Sequence, residues 1–424
     1  MRRAVGLAVG LTAVLAMTGV AVAAEHPAGS KAGPKATVGA AAVIADAGAP
    51  APDLIGTLEP VTRLLGYLGA NRTATFHHPG ASYMKVHFNR LLLLPGDYVE
   101  VAGRDGTERH TYSGDQVRAV GELAGGGQWA MSVDGDTAVV TLHTKSLDPA
   151  GLRGRLTGLG VGIDKVARGF TAAEREARRK ADQERKAAAA KRLARSEGRE
   201  ESICGSDDKH DAVCYRSADP VAYARSKAVA RLLINGVELC SGWRVGPNNR
   251  MFTNHHCFTD SQSARNTEVW FNYECAVCGG YEVLRSTKVW GDRVLATDDR
   301  LDYTLFSVQD FESIAPFGFL QLDVRAPRAG EELYVPQHPG GDPTKISMNS
   351  PGERNGNCKV VDPSYQGYEG GTDLSYYCDT EGGSSGSPVL SRSTNGVIGL
   401  HHFGGCPNSG VRIDLIYDQV ASLL

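Results

Sequence analysis

Three short stretches hold side chains that could do chemistry together. "TEGGSSGSPV", Thr380 to Val389, spends three glycines and three serines on a segment that buries little. A hydroxyl is a weak nucleophile until a base sits beside it and N–H donors face the oxyanion formed on attack. Glycine lets the chain turn without a Cβ clash, so the backbone N–H groups of Gly383 and Ser385 can converge on one point. That turn presents Ser385 to a cleft, points Ser384 elsewhere and leaves Ser387 at the strand entered through Pro388. "MFTNHHCF" offers imidazoles at His255 and His256, and "DDRLDYTLFSV" offers Asp302 ahead of an apolar run from Tyr303 to Val308. Asp298 and Asp299 compete from the polar turn before it. Hydroxyl, base and orienting carboxylate are the parts of nucleophilic acyl transfer. Each stretch taken singly has a blander reading: a flexible turn, a structural or metal-binding histidine pair, a solvated acid.

Positioning such groups is the work of the surrounding elements. From 201 to 424 short apolar runs alternate with Gly, Asn and Pro turns, and "IDLIYDQVASLL" closes the chain with a helical pattern. This reads as a mostly β region. A strand, a turn and a second strand can bring Cys240 of "GVELCSGW" against Cys257, and a bridge there would anchor the adjacent histidine. Upstream, 54–165 carries partly alternating strands punctuated by Pro-Gly-Asp and Asp-Gly-Asp, which suggests a β-sandwich. The span 166–200 is an alanine-rich, charged helical linker. It opens on a capping box, Thr171 with Glu174, and its arginines invite proteolysis. The span 25–53 reads as a flexible leader rich in Ala, Gly and Pro, and 1–24 as a secretory signal peptide. Its basic start, apolar stretch from Ala4 to Val22 and small-residue site at Ala21-Val22-Ala23-Ala24 support export over a membrane anchor.

Composition narrows the partners. The chain has 424 residues, 42% hydrophobic and 22% charged, with a net charge of −3. That balance gives no argument for nucleic acid or an anionic membrane, and the basic run in the linker is interleaved with acids. All nine cysteines lie at or after Cys204, which in an exported chain reads as a disulfide framework with one thiol left over. His77, His78, His87, His110 and His143 recur without ligand spacing and read as exposed strand histidines. The Cys275-x-x-Cys278 pair has no second partner set, so no metal or other cofactor is expected. The expected setting is that of a secreted, extracellular monomer.

"TNHHC", "DYTLF" and "GGSSGSPV", in the order His, Asp, Ser, resemble the three signatures of chymotrypsin-like serine peptidases. "LCSGW", "FNYECAVC" and "VIGLHHFGGC" are similar to the bacterial branch that contains lysyl and glutamyl endopeptidases. The likeness runs from about Ser202 to Leu424 and leaves the N-terminal half uncovered. It implies two packed six-stranded β-barrels, with His256 as general base, Asp302 as its orienter, Ser385 as nucleophile, Gly383 and Ser385 as oxyanion donors, and protein or peptide substrates as the expected partners. The expected fold is thus a chymotrypsin-like two-barrel peptidase domain over 201–424, preceded by the β-sandwich and helical linker.

The resemblance also implies Cys240–Cys257, Cys204–Cys406 and Cys214–Cys278. Cys358–Cys378 is our own addition, on strands flanking the loop before the serine, and Cys275 is left over. Specificity is pulled two ways. Asp379 falls where trypsin-like enzymes keep an acidic pocket base, and Glu381 where lysyl endopeptidases keep an acid, both favouring Lys or Arg at the cleaved bond. His401 matches the histidine with which glutamyl endopeptidases meet a Glu side chain. His402, Phe403 and Gly404 are expected along the substrate-binding edge. We lean to a basic residue. Ser384 stands where animal trypsin-like zymogens place an Asp that receives a new N-terminal amine, so activation by that pairing is not open to this chain. Cleavage between Arg195 and Glu201, releasing a pro-region, is the expected route. The alternatives are an inactive scaffold used for binding, and a peptidase that keeps its N-terminal half.

Overall fold

The computed structural model describes residues 52–67, 72–113, 127–145, 159–192, 203–349 and 356–424. The expected signal peptide, nearly all of the leader and the cleavage region 195–201 lie outside the described residues. Among those described, no helix is long and apolar enough to cross a membrane.

Two antiparallel sheets make up the N-terminal region. One runs Gly56–Leu65, Gly160–Gly169, Tyr83–Leu92, Gln128–Trp129, and the other Thr73–His77, Thr137–His143, Tyr98–Gly103, Arg109–Ser113. Alternation does what it should in Thr137–His143, where Val140 and Leu142 are buried while Val139 and Thr141 are only partly covered. These residues join Val86, Phe88, Val99, Val101, Val161 and Ile163 in one core. The strand Gly160–Gly169 runs past position 165, with Arg168 still paired to Thr57, so the sandwich extends four residues into the span read as linker. Helix Ala172–Arg192 follows. Its capping box forms: Thr171 N–H donates to Glu174 Oε2 (2.8 Å) and Glu174 N–H to Thr171 Oγ1 (3.2 Å). His87 is not the exposed strand histidine expected: it is 3% exposed and bonded to Asp164 at 2.6 Å.

Beyond residue 203 the chain is mostly β and chymotrypsin-like. The strands Glu238–Arg244, Val229–Ile234, Thr267–Phe271, Thr287–Asp298, Tyr303–Val308 and Met251–Thr253 pair in that order, and Met251–Thr253 pairs back onto Glu238–Arg244. That return closes a six-stranded barrel around Leu232, Met251, Val269, Phe271 and Phe306. A second sheet runs His210–Asp211, Lys345–Ser347, Leu333–Gln337, Pro388–Ser391, Val397–Phe403, Asn408–Arg412, Asp373–Tyr376. The segment around Cys358 bridges its two sides: Cys358 N–H donates to Met348 O (2.9 Å) and Val361 N–H to Ser375 O (2.8 Å). Between the barrels lies a shared apolar layer with Trp243, Phe252 and Tyr303 from the first, Tyr334, Leu400 and Val411 from the second, and Ile413 and Ile416 from helix Ile413–Val420.

The N-terminal region is seated on the first barrel through buried charge. Lys85 and Glu268, both fully buried, form an ion pair. Glu268 also accepts from Ser132 N–H (2.8 Å), Ser132 Oγ (2.7 Å) and Trp270 Nε1 (2.7 Å). Lys288 reaches Glu108 (2.6 Å) and Asp134 (2.9 Å). A short strand, Asp53–Leu54, adds to the barrel edge opposite Leu239 and Glu238, so position 53 belongs to a paired strand and not to the leader.

Candidate active site

Strand Met251–Thr253 delivers the histidines. Asn254 Nδ2 donates to the Asp302 carbonyl (2.7 Å), tying that strand's end to the turn before Tyr303–Val308. Asp302 sits at φ 43°, a left-handed backbone that Asp tolerates better than most residues. The carboxylate is buried and aimed back at His256. Its Oδ1 accepts the His256 backbone N–H (3.0 Å), and its Oδ2 meets His256 Nδ1 (2.8 Å). The other ring nitrogen, Nε2, lies 2.9 Å from Ser385 Oγ. His255 turns away to Thr297 Oγ1 (2.9 Å), and Asp298 accepts from the Arg300 and Leu301 N–H groups at 3.0 and 2.8 Å.

The turn carrying Ser385 is fixed from behind. Gly383 has φ 93° and Gly386 φ 86°, and a Cβ on Gly386 would lie 2.2 Å from Ser241 O. Ser241 N–H donates to Ser385 O (2.8 Å) and Ser241 Oγ to Gly383 O (2.9 Å). Gly340 N–H holds Gly382 O (2.6 Å), and Ser387 N–H holds Ser384 O (2.9 Å). Because C=O and N–H of a trans peptide point oppositely, these two bonds aim the following N–H groups, of Gly383 and Ser385, away from them. Ser384 Oγ turns inward to Gln337, away from the cleft as its position suggested.

Burial alone would raise the Asp302 pKa, but His256 and His402 outweigh it and hold the carboxyl well below the usual range. His402 was expected along the substrate edge. Its imidazole is instead 1% exposed, with Nδ1 3.2 Å from Asp302 Oδ2 and Nε2 2.7 Å from Asp373 Oδ2. Burial disfavours its charge, but Asp373 and Asp302 prevail and raise its pKa to about 9. Sequence reasoning missed Asp373, which lies in a plain "GGTDLSYY" stretch; the run of two histidines in "GLHHFGG" was the one signal that a buried acid would be needed. Phe403 stacks on His402 (ring centroids 3.8 Å apart) and, like Gly404, is buried. His401 Nδ1 meets Tyr376 OH at 2.7 Å.

Asp379 accepts backbone N–H groups from Cys204 (2.7 Å) and Asp208 (2.8 Å), so this acid anchors the start of the described peptidase chain. Glu381 lies 3.9 Å from the Lys209 ammonium, which is 2.8 Å from Asp207. Burial pushes both Asp379 and Glu381 upward. The four disulfides are Cys204–Cys406, Cys214–Cys278, Cys240–Cys257 and Cys358–Cys378, with Cys275 a buried free thiol. Among the described residues, the one cluster with metal-ligand proximity is Cys240, His256 and Cys257, and its two sulfurs are joined in a disulfide.

The profile of the trypsin-like peptidase domain matches residues 240–400, a span that contains His256, Asp302 and Ser385. The chain is also 30% identical over 342 residues to Secreted RxLR effector protein 73 of Plasmopara viticola, covering 78% of this chain and 77% of that protein. The chain carries a trypsin-like peptidase domain. The alignment with the effector is longer than 201–424 can supply, so kinship reaches into the N-terminal half of this peptidase. Solved structures similar to it include the active form of the Rv3671c protease of M. tuberculosis (17% identity, 53% of this chain and 91% of that one, TM-score 0.37). A Glu endopeptidase is another (19% identity, 52% and 100%, TM-score 0.37).

Proposed function

We propose that this chain is a secreted serine endopeptidase that cleaves peptide bonds through an acyl-enzyme. The observation that carries the reading is the double contact of one imidazole, His256, with Asp302 Oδ2 at 2.8 Å and Ser385 Oγ at 2.9 Å. Ser385 Oγ attacks the substrate carbonyl as its proton passes to His256 Nε2. Asp302 stays ionised and stabilises the imidazolium through Nδ1–H. The N–H groups of Gly383 and Ser385 receive the oxyanion. Collapse moves the proton from Nε2 to the leaving amine nitrogen and leaves an ester on Ser385. Water, deprotonated by His256, then hydrolyses that ester. A serine-directed phosphonate is expected to label the full chain at Ser385 and to fail on Ser385→Ala. Labelling elsewhere, or none on the unaltered chain, would leave an inactive scaffold used for binding as the better reading.

Secretion is supported by the signal-like N-terminus, the four disulfides and the secreted relative. For the residue at the cleaved bond we keep the basic preference. Asp379 and Glu381 lie a few residues before Ser385 and burial pushes both upward, so a substrate cation would relieve that cost on both acids. Matched peptides bearing Lys, Arg or Glu at that residue test this, and faster cleavage after Glu would reverse it.

The chain is made as a precursor in this reading, cut in the linker between Arg195 and Glu201. One observation favours a retained N-terminal half even after that cut. Glu268 is fully buried against Lys85, and undocking would strand both charges. Size-exclusion chromatography of linker-cleaved protein separates the two outcomes, since a retained half co-elutes with the peptidase.

A further inference from the structure

We propose that Asp373 is a positioning residue for hydrolysis, acting through His402 on Asp302. The proposal rests on the reading of Asp302 as the orienting acid.

Each ring nitrogen of His402 faces a carboxylate oxygen, Asp302 Oδ2 at 3.2 Å from Nδ1 and Asp373 Oδ2 at 2.7 Å from Nε2. A neutral imidazole has one N–H and one lone pair. In this geometry the lone pair would confront a carboxylate on one side or the other. Only the imidazolium donates at both ends. All three side chains are at most 1% exposed, so bulk water does not reach them. Asp373 is itself oriented: Ser409 Oγ donates to its Oδ2 (2.7 Å) and Thr372 Oγ1 to its Oδ1 (3.1 Å). Phe403 stacks on the ring at 3.8 Å and Tyr368 lies edge-on at 5.9 Å, and neither carries a formal charge. The raised His402 pKa agrees with this geometry.

The consequence falls on Asp302 Oδ2, which serves two rings at once, His256 and His402. A charged second donor fixes the carboxylate against rotation and draws off part of its negative charge. Asp373 supplies that charge by keeping His402 protonated, while its own carboxylate is bonded to His402, Ser409 and Thr372. Removing Asp373 leaves a neutral His402. The acid then pulls harder on the His256 proton, and the base holds a proton to higher pH.

The test is a pH profile of peptide hydrolysis by the full chain carrying Asp373→Asn. Expected are a fall in kcat of about tenfold, KM within twofold, and an acid limb of kcat/KM moved upward by about half a pH unit. A loss of kcat with an unmoved acid limb would reduce Asp373 to a packing role and overturn the proposal. Coupling is the second readout: in a His402→Gln background, Asp373→Asn is expected to cost nothing further, and an additive loss would also overturn it. Should Asp373→Asn fail to fold, the unaltered chain still decides. With 15N-labelled histidine at pH 7.5, His402 is expected to show two protonated ring nitrogens; a neutral tautomer refutes the proposal. Phosphonate labelling of Ser385 in the same sample tells failure of this inference apart from failure of the peptidase reading.

Discussion

Asp53 of the N-terminal region pairs antiparallel with Leu239 of the first barrel, and its carboxyl lies directly against Gly382. A Cβ on Gly382 would come within 2.4 Å of the Asp53 carboxyl carbon. Two residues past Leu239, Ser241 N–H holds the carbonyl of Ser385 at 2.8 Å. At about 3.3 Å of rise per residue, the paired strand ends within two residues of the nucleophile's backbone. An extended peptide that adds to this edge by main-chain pairing meets Asp53–Leu54 already in place.

Asp53→Pro removes the N–H at the centre of that pairing without disturbing Ile55, whose N–H is held separately by Val237 O at 2.8 Å. The full chain with this change is expected to hydrolyse a peptide substrate with kcat/KM raised about tenfold. An unchanged rate in a variant with native circular dichroism would mean that the strand does not compete with substrate.

The buried Glu268 links the two halves through Lys85 and Ser132. Burial raises its pKa, but Lys85 and Lys288 outweigh that and lower it, so the carboxylate is ionised in the folded chain. Glu268→Ala strands the Lys85 ammonium, which burial already pushes toward neutrality. Truncating one partner of a buried pair costs about 3–5 kcal/mol. Denaturant unfolding of the variant is expected to show a loss of that order, and separation of the halves once the linker is cut.

His402 sets a stability window at alkaline pH. Its folded pKa of about 9 lies above the ordinary histidine value of 6.5. A group with a raised folded pKa contributes fully below its unfolded value and loses that contribution as pH rises through the folded one. Stability of the full chain is expected to fall between pH 6.5 and 9, by up to about 3 kcal/mol. Asp373→Asn is expected to flatten that decline, measured as Tm across the same pH range.

Gly386 is held at φ 86° with no room for a side chain. Gly386→Ala sets a Cβ 2.2 Å from the Ser241 carbonyl oxygen, a backbone atom that is itself bonded to Thr253 Oγ1 at 2.9 Å. The variant is expected to lose at least about 3 kcal/mol of stability and nearly all phosphonate labelling at Ser385, as read by melting and mass mapping.

The chemistry-bearing residues were legible because they sit in local patterns. Gly383, Gly386 and the two serines between them mark a turn that needs glycine, and the positive φ values at both glycines bear this out. The Thr171–Glu174 cap was legible for the same reason, since capping is a property of residues a few positions apart, whereas the two barrels were expected from the family resemblance. The sandwich edge at Gly169 was misplaced, because a strand's end is set by its partner, here Thr57, more than a hundred residues away.

What no local pattern could supply is which charges meet across the fold. Asp373, His402 and Asp302 come from three separate strand ends, and only their joint burial makes an imidazolium the one species that satisfies all of them. Asp379 reads as a pocket acid in one dimension, yet in three its oxygens hold the N–H groups of Cys204 and Asp208. Glu268 and Lys85 each look like ordinary surface charges until the two halves of the chain close over them. Residue type and spacing decide what a segment can do. Desolvation, which depends on everything packed around it, decides which charge it keeps and whom it must face.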